Sequence, residues 1–347
     1  MRVFALLLLA AALSLTSACT SPPPSSSATL VYLAGTLPKD VIAAAQRTAP
    51  GVTVLAGLTP EQALLRAAEA DAADGRLLTP AFLAKATKLR WVQAMSAGVD
   101  RYMADPVFVG NNRVVLTNLR GAHGPCIADH VFAMLLSLVR DLRHRSEQQA
   151  AAIWDPQDSG RRPRALQEMT LLVVGLGGIG SEVAVRAHGF GMRVLATRRT
   201  DAPSPEWIAR IGQPDDLVAM LPEADVVVVC APLTKATENL FDARAFAAMK
   251  PGSYFVNIAR GKIADTDALV AALRSGHLAG ACLDVTEPEP LPASSPLWAM
   301  HNVVITPHVA SDGQLSDERG YAMLLDNLRR FGKGEELQNV VDRSAGY

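Results

Sequence analysis

The chain has 347 residues, 49% of them hydrophobic and 19% charged, enough for two ordinary domains with real cores. Its formal net charge is -1 and its basic residues are scattered, so its charge does not point to a nucleic-acid partner. The four cysteines, Cys19, Cys126, Cys230 and Cys282, lie far apart. They have no metal-ligand spacing and form no disulfide framework, and the last three fall in apolar stretches that read as buried thiols.

At the N-terminus Arg2 precedes the apolar run 3–13, which is followed by Ser14-Leu15-Thr16-Ser17-Ala18-Cys19. This is the layout of a secretory signal, and the run is shorter than the roughly 20 apolar residues that span a bilayer. The small residues ahead of Cys19 resemble the lipobox of bacterial lipoproteins, which implies lipidation of Cys19. Thr16 stands where that pattern prefers leucine, so cleavage after Ala18 without lipidation stays open. Residues 1–18 are expected as a signal peptide and 19–27, rich in proline and serine, as a tether. Together they imply a lipid-anchored envelope protein on the periplasmic side. A start codon set too far upstream would instead leave the protein cytoplasmic.

Strands are predicted at 30–33, 52–55, 89–94 and 114–118, with helices at 39–47 and 61–69 between them. Strands alternating with helices make a parallel α/β sheet. From Cys126 to about Ala152 runs a helical pattern with Ile127, Val131, Met134, Leu135, Leu138 and Leu142 at spacings of three and four. Its charged second half suggests a helix leaving the core and linking two domains. After an arginine-rich loop, Thr170-Leu171-Leu172-Val173-Val174 runs into Gly175, Gly177 and Gly180 in G-x-G-x-x-G spacing, with a helix behind it. The run reads as a strand buried on both faces. The first glycine permits the tight turn, the second admits a pyrophosphate, and the third lets the helix pack closely with its N-terminus on the phosphates. Further strands at 193–196, 225–230, 254–258, 281–285 and 303–306, a helix at 266–275 capped by Asp265, and an amphipathic segment at 317–331 complete a doubly wound domain.

About 20 residues beyond the glycines such a domain usually carries an acidic residue for the ribose 2′-hydroxyl of NAD. Here that place holds Arg198 and Arg199. Guanidinium groups attract a 2′-phosphate, so NADP(H) is the expected cofactor, with NAD(H) possible. A surface arginine pair without selectivity is the plain alternative.

Seven stretches follow in order: WVQAMSAGVD from Trp91, LTNLRGAHGPCIADHVFAMLLSLVR from Leu116, LLVVGLGGIGSEVA from Leu171, VVVVCAPLTKAT from Val226, NIARG from Asn257, LDVTEPEPL from Leu283 and ITPHVAS from Ile305. Together they resemble the D-isomer-specific 2-hydroxyacid dehydrogenase family, in particular its glyoxylate/hydroxypyruvate reductase-like members. The resemblance implies two doubly wound parallel-sheet domains, a Rossmann nucleotide-binding domain inserted in a flavodoxin-like substrate domain. On that pattern 28–124 would be the first part of the substrate domain and 125–310 the nucleotide-binding domain with its linker helix. The segment 311–347 would then return to the substrate domain. A homodimer is implied as well.

The family's catalytic trio falls on Arg260, Glu289 and His308. A histidine can exchange the hydroxyl proton near neutral pH, a carboxylate can orient its ring, and an arginine fork matches a substrate carboxylate. Substrate contacts implied are the backbone amides of Ala97 and Gly98, together with Arg260. Cofactor contacts implied are Gly175, Gly177, Gly178, Ile179, Gly180, Arg198, Arg199, Pro232, Ile258, Arg260 and Asp284, the last near the nicotinamide. No metal is implied. The expected activity is reduction of a small 2-oxo acid, such as glyoxylate or hydroxypyruvate, to the D-2-hydroxy acid with NADPH. An envelope-anchored binding protein without turnover is the competing expectation, because nicotinamide cofactors are scarce outside the cytoplasm.

Overall fold

The computed structural model describes residues 29–157 and 163–347. The signal peptide, the tether and Cys19 lie outside the described residues. Two parallel sheets organise the rest. The first contains β1 (Leu30–Leu33), β2 (Val52–Leu55), β3 (Ala72–Asp74), β4 (Trp91–Gln93) and β5 (Val115–Thr117), in the order β2-β1-β3-β4-β5. That is the flavodoxin-like order. The second contains β6 (Thr170–Val174), β7 (Arg193–Thr197), β8 (Ile208–Gly212), β9 (Val226–Val229), β10 (Ser253–Asn257), β11 (Leu278–Leu283) and β12 (Val303–Ile305). Its order, β12-β11-β10-β9-β6-β7-β8, reverses direction between β6 and β9, the switch point where doubly wound sheets open a ligand crevice.

Continuous apolar runs make the central strands. In β9 all four valines are buried, because helices cover both faces of the sheet. One face packs on the helix Gly124–Val139 through Val131, Leu135 and Leu138, and the other on Leu217, Phe246 and Leu273. The helix Gln314–Lys333 crosses back to the first sheet, where Leu324 and Leu328 are fully buried against Tyr32 and Trp91. A buried polar network reinforces that junction. Trp91 Nε1 donates to Thr117 Oγ1 at 2.8 Å, Thr117 Oγ1 donates to Gln93 Oε1 at 2.8 Å, and Asn327 Nδ2 donates to the same Gln93 oxygen at 3.2 Å. Satisfied polar groups of this kind fix one docking geometry for the returning helix.

Several sequence expectations need correction. The long helix expected from Cys126 to Ala152 is two helices, Gly124–Val139 and Leu142–Ala150. They are separated at Asp141, whose φ of 53° is left-handed. Aspartate tolerates that conformation, so no glycine or proline signalled the break. β3 and β8 were not expected. β3 is three small or acidic residues with no β-branched side chain, and β8 is an edge strand with exposed residues that lacks a continuous apolar run. Cys282 is buried as expected, whereas Cys126 and Cys230 are half-buried.

Candidate active site

The carboxyl ends of the second sheet's strands carry most of the residues of interest. Gly175 follows β6 with φ of 100°, and a Cβ there would meet the Ala231 backbone nitrogen at 2.8 Å, in the loop after β9. Gly180 lies so close to the strand that a Cβ would stand 2.2 Å from the Gly175 carbonyl oxygen. Gly177 has nothing within 4 Å of such a Cβ. It is the N-cap of the helix Gly178–Gly189 and offers no side chain to its first amides. Gly177 and Gly178 are exposed and Ile179 is half-buried. Two glycines are thus demanded by crowding and one opens a cradle over a helix N-terminus, a fit for a pyrophosphate.

Beyond the same loop, Thr197 ends β7, and Arg198 and the exposed Arg199 follow directly. Arg198 Nη1 donates weakly to the Pro203 carbonyl at 3.4 Å. Pro232 is exposed after β9, its carbonyl accepting from Thr237 Oγ1 at 2.7 Å. The Ile258 side chain packs into the core and is 6% exposed, so it offers a ligand little surface.

On the neighbouring strands the groups come together by hydrogen-bonded steps. Asn257 ends β10, and its Nδ2 donates to the Arg260 carbonyl at 2.9 Å. Asp284, after β11, donates its amide to the Asn257 carbonyl at 3.0 Å, and the His308 amide donates to the Asp284 carbonyl at 2.8 Å. His308 follows β12 with φ of 57°, a left-handed backbone that costs a histidine of order 1 kcal/mol unless its surroundings hold it. Asp284 supplies the hold. It is 2% exposed, and its carboxylate accepts from Thr306 Oγ1 at 2.6 Å, Val309 N at 2.9 Å and Ala310 N at 3.0 Å. The Asp284 carboxylate therefore serves the histidine loop from the strand end at which a nicotinamide contact was expected. His130, from the linker helix, reaches the same knot with Nε2 at 2.9 Å from Thr306 Oγ1.

Glu289 meets His308 directly, its Oε1 2.7 Å from Nδ1, with both side chains a little under half exposed. Among the described residues nothing bonds the other ring nitrogen, Nε2. The loop carrying Glu289 is pinned by Thr266 Oγ1 donating to the Glu287 carbonyl and by Thr286 Oγ1 donating to the Pro288 carbonyl. Gly261, next to Arg260, is pressed against Thr286, so that a Cβ would stand 1.9 Å from its carbonyl oxygen.

Arg260 spans the cleft between the domains. Its Nε and Nη2 lie 3.0 and 2.8 Å from Asp100 Oδ1 in the first sheet's domain, and Nη1 donates to the Ala259 carbonyl at 2.6 Å. The guanidinium lies so close to Gly98 that a Cβ there would sit 1.7 Å from Nη2. A side chain at position 98 would have to push the guanidinium aside. The carbonyls of this loop turn inward, Ala97 O accepting from Asn118 Nδ2 and Gly98 O from Ser96 Oγ. Among the described residues no hydrogen-bond partner faces the amides of Ala97 and Gly98. Asp100 was missed as a site residue, although it closes the WVQAMSAGVD stretch. Thr306 and His130 had no signal in the spacing.

Among the described residues no group of three His, Cys, Asp or Glu side chains is placed to hold a metal. A dinucleotide cradle at a switch point, sharing its sheet edge with a histidine–carboxylate pair and an arginine that reaches Asp100 across the domain cleft, defines a two-domain nucleotide-dependent oxidoreductase. Residues 132–310 match the family model "D-isomer specific 2-hydroxyacid dehydrogenase, NAD binding domain". The chain is 35% identical over 329 residues to glyoxylate/hydroxypyruvate reductase B of Shigella boydii, covering 90% of this chain and 97% of that one. Among solved structures, a D-isomer specific 2-hydroxyacid dehydrogenase from Xanthobacter autotrophicus in complex with NADPH and MES superposes with a TM-score of 0.78. It is 32% identical and covers 92% of this chain and 100% of its own. An NADPH-dependent glyoxylate/hydroxypyruvate reductase from Sinorhizobium meliloti in complex with NADP and sulfate gives 0.77 at 28% identity, over 92% and 100% of the two chains. The chain belongs to the D-isomer specific 2-hydroxyacid dehydrogenase family and is an NAD(P)-dependent 2-hydroxyacid dehydrogenase. The alternative of a binding protein without turnover does not fit these relatives.

Proposed function

We propose that the enzyme reduces a small 2-oxo acid of the glyoxylate or hydroxypyruvate type to the D-2-hydroxy acid, with NADPH preferred over NADH. The observation that carries this reading is the Glu289–His308 pair at 2.7 Å on the same sheet edge as Arg260, whose guanidinium lies against Gly98. A nicotinamide bound at this edge would supply the hydride for the substrate's carbonyl carbon. The amides of Ala97 and Gly98 and the Arg260 fork bind the substrate carboxylate and polarise the carbonyl. A substrate carboxylate arriving there competes with Asp100 for Arg260, so Asp100 keeps the guanidinium oriented until it does. His308 Nε2 delivers the proton to the developing alkoxide, and Glu289 at Nδ1 holds the ring for that transfer. Arg198 and Arg199 read the 2′-phosphate at the end of β7, and the helix Gly178–Gly189 faces the pyrophosphate.

Loss of reduced-nicotinamide absorbance with glyoxylate, hydroxypyruvate and pyruvate tests the activity. Turnover with at least one of them is expected, and a folded protein idle with all three would end the reading. The relatives named as glyoxylate/hydroxypyruvate reductases support the substrate class. Arg2, the apolar run and the small residues before Cys19 further support export and anchoring through Cys19. In membrane fractionation, Cys19→Ser is expected to move the protein out of the membrane fraction. An unchanged distribution would argue against the anchor.

A further inference from the structure

The last nine residues of the chain form a built segment that the catalytic reading does not use. After the helix Gln314–Lys333, residues 339–341 run antiparallel to β5. Thr117 bridges Val340, Val341 N donates to Leu116 O at 2.9 Å, and Asn118 N donates to Asn339 O at 3.1 Å. Arg343 then nails the segment to the substrate domain. Its Nη1 donates to the carbonyls of Phe108, Val109 and Asn111 at 3.0, 3.1 and 3.0 Å, and its Nη2 donates to Val114 O. The guanidinium carbon stands 5.0 Å from the Phe108 ring centroid. Asp342 folds the remainder back, its Oδ1 accepting from Ser344 N at 2.8 Å, Ser344 Oγ at 2.6 Å and Ala345 N at 3.1 Å. Gly346, at φ of 80°, completes the turn with its amide 2.9 Å from the Asp342 carbonyl.

This turn delivers Tyr347 to the other domain. The Arg199 guanidinium carbon lies 4.9 Å from the Tyr347 ring centroid. A Cβ on Gly346 would meet the Thr234 methyl at 4.0 Å, in the loop after β9. A segment anchored in the substrate domain therefore ends on an exposed arginine at the carboxyl edge of the nucleotide-binding sheet.

We propose that Tyr347 is a specificity-determining positioning residue for the nucleotide, holding the Arg199 guanidinium where a 2′-phosphate is read. The inference rests on Arg198 and Arg199 as the phosphate clamp. A ring takes the face of a guanidinium and leaves the N–H donors along its edge free, so stacking and phosphate binding are compatible. An exposed arginine otherwise surrenders rotamer freedom when a phosphate binds, and a ring already on its face removes part of that cost. Because Arg343 fixes the segment to the substrate domain, the clamp is in register only when the two domains are aligned.

Calorimetric titration of the full chain with 2′,5′-ADP and with 5′-AMP isolates this contribution from turnover. Tyr347→Ala is expected to weaken 2′,5′-ADP binding about fivefold, the factor set by an exposed cation–π contact, and to leave 5′-AMP binding alone. Tyr347→Phe is expected to restore the wild-type ratio, since the ring and not the hydroxyl makes the contact. Equal losses for both nucleotides, or no loss for 2′,5′-ADP, would overturn the inference. The double variant Arg198/Arg199→Ala separates it from the reading beneath it. Failure of that variant to reduce the 2′,5′-ADP preference removes the clamp and the inference together. If the double variant loses the preference and Tyr347→Ala keeps it, only the role of Tyr347 falls.

Discussion

At the amino edge of the seven-stranded sheet Asp225 precedes β9, and at the carboxyl edge Asp284 follows β11. Both carboxylates are buried, 5% and 2% exposed, yet they gather different partners. Asp225 takes Lys250 Nζ at 2.9 Å, Arg164 Nη2 at 3.3 Å and the Thr170 amide at 3.0 Å, tying the starts of β6 and β9 to the segments beside them. Asp284 takes two backbone amides and a threonine hydroxyl, all from the loop that carries His308. One aspartate fastens structural elements, and the other holds a left-handed turn that aims a functional ring. In a parallel sheet the carboxyl edge is where loops meet ligands. Buried polar groups there shape the site, and those at the opposite edge secure the fold.

The largest expected effect lies at the carboxyl edge. His308→Gln removes the proton donor and keeps the side chain's bulk, so kcat should fall by about 10³, within the range of general acid catalysis. Calorimetric binding of 2′,5′-ADP should be retained. A kcat near wild type would take His308 out of the mechanism. Next comes Asp284→Asn, which keeps the volume and loses the charge and part of the accepting capacity. A loosened His308 turn should lower kcat/KM about 100-fold, since misplacing a catalytic group by about 1 Å has that effect. If activity survived while the melting temperature dropped, the carboxyl-edge aspartate would be doing the amino-edge job, and the contrast would collapse.

Much of the fold was legible because its signals are local. An apolar run followed by three spaced glycines reports steric needs that the structure meets at Gly175 and Gly180 with contacts no Cβ could share. Features set by distant partners were not legible. Asp100 and Arg260 are 160 positions apart, and nothing in either stretch says that they meet. Asp284 could be marked as belonging near the nicotinamide, but nothing in its stretch says that Thr306, Val309 and Ala310 of another loop hold its side chain. β3 escaped notice because Ala72 and Ala73 carry no β-branched signal and are strand only through their neighbours β1 and β4. Tyr347 on Arg199 is of the same kind, a contact made by the return of the chain and invisible to spacing.

The smallest expected effect belongs to the amino edge, and its pH dependence tests the comparison from the other side. Burial opposes ionisation of Asp225, but the Thr170 amide, Lys250 and Arg164 outweigh it and hold the carboxyl below its ordinary range. A carboxyl depressed in the folded state stabilises fully above its unfolded value, about 3.9, and that stability disappears as pH falls through the lower folded value. Lys250 and Arg164 are themselves 45% and 37% exposed, so solvent screens much of the attraction. Asp225→Asn should therefore cost only about 1–2 kcal/mol at pH 7, with the Thr170 amide still able to find the amide oxygen. Denaturant melts of the two proteins should differ by that amount at neutral pH and begin to converge only below about pH 4, while the kcat of the folded variant stays at wild type. A gap that persisted unchanged at low pH would mean that packing, and not the charge on Asp225, holds the amino edge together. A fall in kcat would mean that the two edges are coupled through β9 and cannot be divided into a fold edge and a site edge.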